Sequence, residues 1–182
     1  PLRYIDLSGC IGITSHTLDV LATHLSLLES VLFNGVNIFG ASSSWLGVPQ
    51  TASLSGSGSE SVIIDLRTST EKNRTTQAFH KLVENNPHLC RVELSHTGVC
   101  DTQLAQIASV SSAITQLKIV SEAVTDLGLH SLSKSGLTLQ LLDLERASIS
   151  DAGITELVKA CGQSLTALSL SGCSNPGLTE AA

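Results

Sequence analysis

The chain has 182 residues, enough for one ordinary globular domain, and its formal charge of −6 argues against a nucleic-acid or acidic-membrane surface. Apolar residues make up 42% but aromatics only 3%, so the core must be aliphatic, which suits thin repeated layers better than one irregular globule. No apolar run approaches the roughly 20 residues of a membrane helix, no signal peptide is visible, and no Cys-x-x-Cys pair offers a zinc site.

A nine-residue phrase opens the chain at 2–10 (LRYIDLSGC) and returns at 165–173 (LTALSLSGC). Apolar residues fall at its first, fourth and sixth places and a cysteine at its ninth. A repeat of this kind fixes the architecture. Copy one is Leu2, Ile5, Leu7 and Cys10, and 15–25 follows with helical spacing. Copy two is Leu28, Val31, Phe33 and Val36. Residues 40–60 then read GASSSWLGVPQTASLSGSGSE, a Gly/Ser-rich loop insertion where a helix is due, with Trp45 as a possible partner anchor. Copy three is the weakest, with Ser61, Ile64, Leu66 and Ser69, and its helix is predicted at 75–86, stopped by Pro87.

Copy four (Leu89, Val92, Leu94, Thr97) leads into a helix at 101–110, and copy five (Ile114, Leu117, Ile119, Glu122) into one at 125–132. Copy six (Leu139, Leu142, Leu144, Ala147) leads into 150–161, which begins with cap-type Ser150 and Asp151. Copy seven is Leu165, Leu168, Leu170 and Cys173. Most copies stand about 25 to 28 residues apart, within the leucine-rich range. Period-two apolar places make short strands, and each layer is stable only when stacked on its neighbours. The predicted fold is an α/β solenoid over 1–182 with about seven repeats, parallel strands on a concave side and helices on a convex side. Both ends fall within the pattern, so the chain reads as a portion of a longer solenoid. The 5 cysteines are odd in number and unclustered; Cys10, Cys161 and Cys173 fall at core-type places and read as free thiols of a reducing, intracellular compartment, cytoplasm or nucleus.

The step Ile149-Ser150-Asp151-Ala152-Gly153-Ile154, with Cys161 and then 165–173, resembles the cysteine-containing leucine-rich repeats. Val124-Thr125-Asp126-Leu127-Gly128-Leu129 fits the same step. Such repeats are typical of F-box/leucine-rich repeat proteins, the substrate receptors of SCF-type ubiquitin ligases. The resemblance implies a leucine-rich repeat horseshoe that recognises a protein with its concave sheet or its end. The F-box that would bind the Skp adaptor is not among these residues.

No constellation of catalytic residues is visible: the six His are scattered, and nucleophile-elbow, phosphate-loop and His-Glu-x-x-His motifs are lacking. No catalysis, cofactor, metal or small-molecule substrate is therefore expected. The better candidate is a surface. The fifth place of each copy faces outward and reads Asp6, Leu32, Asp65, Glu93, Lys118, Asp143 and Ser169, predicted to stack as one row about 5 Å apart. Glu145 adds acid, while Arg67, Arg91, Lys118 and Arg146 interrupt it. Tyr4, Leu32, Ile63, Val120 and Leu141 are the apolar anchors expected on the same face. Two readings stay open: a net acidic strip that receives a basic or polar segment of a protein partner, or a solvated face whose charges pair across strands. A structural scaffold held through convex helices is the alternative to a recognition module.

Overall fold

The structure is a computed structural model and describes residues 1–36, 38–39, 69–110 and 112–174. Strand and helix alternate: β1 (Tyr4–Asp6), α1 (Ser15–His24), β2 (Ser30–Leu32), α2 (Ser69–Glu84), β3 (Arg91–Ser95), α3 (Asp101–Val110), β4 (Gln116–Val120), α4 (Asp126–Lys134), β5 (Leu141–Glu145), α5 (Asp151–Cys161) and β6 (Ala167–Ser169). The strands form one all-parallel sheet in chain order, β1 to β6. Each crossover therefore lands on the adjacent edge, and the molecule grows by one strand per layer.

Alternation decides which side chains go inside. Ile5, Val31, Val92, Leu117, Leu142 and Leu168 are successive register partners on the inward face. The four central members are sealed from solvent. Leu94, Ile119 and Leu144 make a second buried row. Helical residues such as Leu18, Leu82, Leu104, Leu129 and Leu157 close over these rows in one continuous cluster, with Leu7 and Leu170 packed at its ends. All the described helices thus cover the same face of the sheet.

One expectation is corrected by the register. Leu32 pairs directly with Glu93, so the strands of copies two and four are neighbours in the sheet. Ser69, read as its ninth place, is the first residue of α2. Copy three was the weakest because it lacked an apolar residue at its first place, and six strands, not seven, lie among the described residues. The layer begun by β2 keeps its helix, for α2 packs between α1 and α3. The 40–60 insertion, Ile63, Trp45, Asp65 and Arg67 lie outside the described residues.

Adjacent layers in the C-terminal part are joined by a repeated polar clamp. The Asp101 carboxylate accepts from the Thr125 N–H (2.8 Å), the Thr125 hydroxyl (2.6 Å) and the Gly128 N–H (3.1 Å). One layer on, Asp126 accepts from the Ser150 N–H (2.8 Å) and hydroxyl (2.5 Å). Thr125 and Ser150 are also the N-caps of α4 and α5. A carboxylate at one helix N-terminus thus holds the cap of the next, where the helix dipole also favours negative charge. Glycine is required opposite it. A Cβ at Gly128 would stand 2.6 Å from Asp101 Oδ1, and one at Gly153 would come closer still to Asp126 Oδ1. The Asp126-Leu127-Gly128 step thus supplies a glycine that faces the aspartate of the layer before and an aspartate that holds the cap of the layer after.

After each strand the chain turns sharply. Gly9, Gly35 and Gly172 take positive φ in equivalent turns, but His96 (φ 56) and Arg146 (φ 63) stand in the same place in layers three and five. A non-glycine residue there costs roughly 1 to 2 kcal/mol.

Candidate functional site

The sheet face opposite the helices carries three rows of outward side chains. The first is Tyr4, Ser30, Arg91, Gln116, Leu141 and Ala167; the second is Asp6, Leu32, Glu93, Lys118, Asp143 and Ser169. The third holds Ser95, Val120 and Glu145, with Asn34 alongside because the Gly35 N–H bonds the Ser95 carbonyl. Eight of the residues singled out in the sequence, Tyr4, Asp6, Leu32, Arg91, Glu93, Lys118, Asp143 and Glu145, therefore share one face.

Their order differs from expectation in two ways. Asp65 does not separate Leu32 from Glu93, which are neighbours. Arg91 belongs to the Tyr4 row and does not interrupt the acidic row; it reaches along its own strand to Glu93. The strip is also partly self-neutralised. Arg91 holds Glu93, Lys118 Nζ lies 3.3 Å from Asp143, and Arg146 holds Glu122. The Arg146–Glu122 pair is about half exposed on both sides, worth roughly 0.2 to 1 kcal/mol, so it does not offset the strain of the Arg146 backbone.

Burial divides the expected anchors. Tyr4 is 54% and Leu141 37% exposed, whereas Leu32 and Val120 are buried at 8% and 4% and cannot serve as protruding anchors. Cys10, expected in the core, is exposed, because its layer has no neighbour on that side among the described residues. Cys161 and Cys173 do face inward, and their thiols donate to the Leu137 and Leu144 carbonyls of the preceding layer. Burial pushes both thiols up, which leaves them poor nucleophiles.

Glu93 is the most enclosed acid on the face. Burial pushes its carboxyl up, but donors from Arg91 and Asn34, with the Arg91 and Lys118 charges, outweigh that and hold it below the usual glutamate value. At the sheet's edge, hydrogen bonds from the Ser8 hydroxyl and Ser8 N–H (2.9 Å) draw Asp6 below the usual aspartate value.

Two residues that sequence reading passed over are central here. Asn34 Nδ2 donates to Glu93 Oε2 at 3.1 Å, and Ser95 is buried beside it. Each follows the sixth-place apolar residue of its copy, Phe33 or Leu94, a place where a polar residue carries no signal of its own. Among the described residues no group of three or more His, Cys, Asp and Glu sits where it could hold a metal ion. No helix there is long and apolar enough to cross a membrane. Compared with known proteins, the chain matches no family model and no curated protein.

Proposed function

We propose that this chain is a non-catalytic protein-recognition module, a leucine-rich repeat horseshoe whose sheet face opposite the described helices is the concave, partner-binding side. The observation that carries the reading is that no described helix lies on this face. All-parallel sheets are found almost always with both faces covered. Here every described helix lies on one side, and the other presents six strands with Tyr4 and Leu141 exposed. The resemblance to F-box/leucine-rich repeat proteins supports the more particular role of substrate recognition for an SCF-type ubiquitin ligase.

The test is quantitative affinity purification with the full-length protein, wild type against a Tyr4→Ala/Leu141→Ala variant. Loss of one defined protein with an unchanged melting temperature is the expected outcome; recovery unaffected by the variant sinks the reading. Co-recovery of Skp and cullin supports the ligase role. A second reading, a scaffold held by its convex helices, is favoured by Leu127 on α4 and Val158 on α5, exposed at 71% and 42%. Leu127→Ser with Val158→Ser would disrupt a fixed assembly under that reading and leave the concave partner in place under the first.

A further inference from the structure

The buried side-chain oxygens that lack a partner among the described residues are Ser30 Oγ, Asn34 Oδ1 and Ser95 Oγ. They do not scatter. All sit on β2, on β3 or in the turn directly after β2, on the sheet face opposite the described helices, and Asn34 bonds Glu93 there. A buried polar atom without a partner is destabilising, and three on one short stretch of one face call for an explanation.

The hydrogen bonds fix what each group offers. Glu93 Oε1 is held by Arg91, and Oε2 accepts from Asn34 Nδ2. The amide cannot flip, since its oxygen would then face a carboxylate oxygen. Asn34 Oδ1 therefore points away as an acceptor with no donor, made more basic by the charge at the other end of its amide. Ser95 Oγ, on the neighbouring strand, is 93% buried with its residue and also lacks a partner. Leu32 and Val120 flank the two apolar sides. Beyond Val120 stands Glu145, which forms no salt bridge among the described residues.

We propose that Asn34, Ser95 and Glu145 form the recognition point for an arginine side chain of the protein partner. This rests on the reading of the face as a partner-binding surface. A guanidinium brings several donors in a fixed fork and no acceptor, which is what two unpartnered oxygens on adjacent strands need. A carboxylate or phosphate would set acceptors against acceptors beside Glu93 and Glu145. The methylene stem of arginine suits the apolar flank of Leu32 and Val120. Both oxygens are closed to water in this structure, so an arginine enters as the side chains around them move aside, a rearrangement common at interfaces.

The experiment is an NMR titration of the ¹⁵N-labelled protein with the tripeptide Ac-Gly-Arg-Gly-NH₂ and with its neutral citrulline analogue. The arginine peptide should shift the amides of Asn34, Gly35, Ser95 and His96, binding about tenfold tighter than citrulline. Ser95→Ala should weaken the arginine peptide by roughly three- to tenfold while raising the melting temperature, because it removes a buried unpartnered hydroxyl. Equal shifts from the two peptides overturn the proposal, as does an arginine response unchanged by Ser95→Ala. The two levels separate cleanly. A partner lost with Tyr4→Ala/Leu141→Ala but indifferent to Ser95→Ala leaves the binding face standing and removes the arginine site.

Discussion

The two halves of the molecule are joined by different means. From β3 to α5 the layers are regular: strands of five residues, inward partners Val92, Leu117 and Leu142 spaced by 25 residues, and an Asp clamp at successive helix N-termini. From β1 to α2 the strands shrink to three residues and Ser15 stands where a clamp aspartate would be. That junction is held from the other end and from inside. Asn86, fully buried, accepts from the Leu28 N–H (2.9 Å) and donates to the Leu82 carbonyl (2.8 Å). Phe79 on α2 meets Phe33 and Phe39 edge-on at 6.0 and 5.3 Å. These are the only three Phe in the chain. Where repetition lapses, bulky aromatic packing and the amides of Asn86 and of Asn85, which donates to the Ala22 carbonyl (2.9 Å), do what a small polar module does elsewhere.

The largest expected effect probes the irregular half. Phe79→Ala removes both edge contacts and a buried ring, and should cost about 3 to 5 kcal/mol in denaturant unfolding. In a layered protein the damage should be local. Native-state hydrogen exchange should show amides of α1, β2 and α2 opening while those of α4 and α5 keep their protection. Equal loss throughout would mean that the halves melt as one unit and that the contrast has no thermodynamic content.

The regular half has its own test, with a diagnostic sign. Gly→Ala inside a helix normally stabilises by about 0.5 to 1 kcal/mol. Gly153→Ala should instead cost about 2 to 3 kcal/mol, because the new Cβ drives into the Asp126 carboxylate and breaks bonds to the Ser150 cap. In an Asp126→Ala background the obstacle is gone, and the same Gly153→Ala change should turn neutral or stabilising. A double-mutant cycle that finds the two substitutions additive would show that Asp126 and Gly153 do not act together.

This contrast also explains what could be read beforehand. Helix α3 lies where its periodicity placed it, and Ser150 is the cap its residue type announced, because these signals are local. The face shared by Tyr4, Glu93, Asp143 and Glu145 follows from strand alternation alone. Copy three misled because a weak apolar spacing was read without knowing that β2 pairs with β3, a contact between residues far apart in the chain. Burial of Leu32 and Val120, and the pairing of Arg91 with Glu93, depend on register and on which way long side chains lean. Neither is written in the spacing.

The smallest effect compares one turn position across the two halves. At Gly35 an added Cβ would meet nothing within 4 Å, so any penalty of Gly35→Ala is purely that of φ near +71°, about 1 kcal/mol. At Arg146 the same backbone state is already occupied by a side chain. Arg146→Gly relieves the strain but gives up the exposed pair with Glu122 and adds freedom to the unfolded chain, so a net gain of about 0.5 kcal/mol is expected. High salt weakens what is given up, so the gain should grow at about 1 M NaCl. Opposite signs at Gly35 and Arg146 would show that layers one, two and six are relaxed at this turn while layer five holds a guanidinium on the rim against its backbone preference. A loss of stability in Arg146→Gly that vanishes with salt would instead make the Glu122 pair the dominant interaction there, and the rim arginine a clamp between layers four and five.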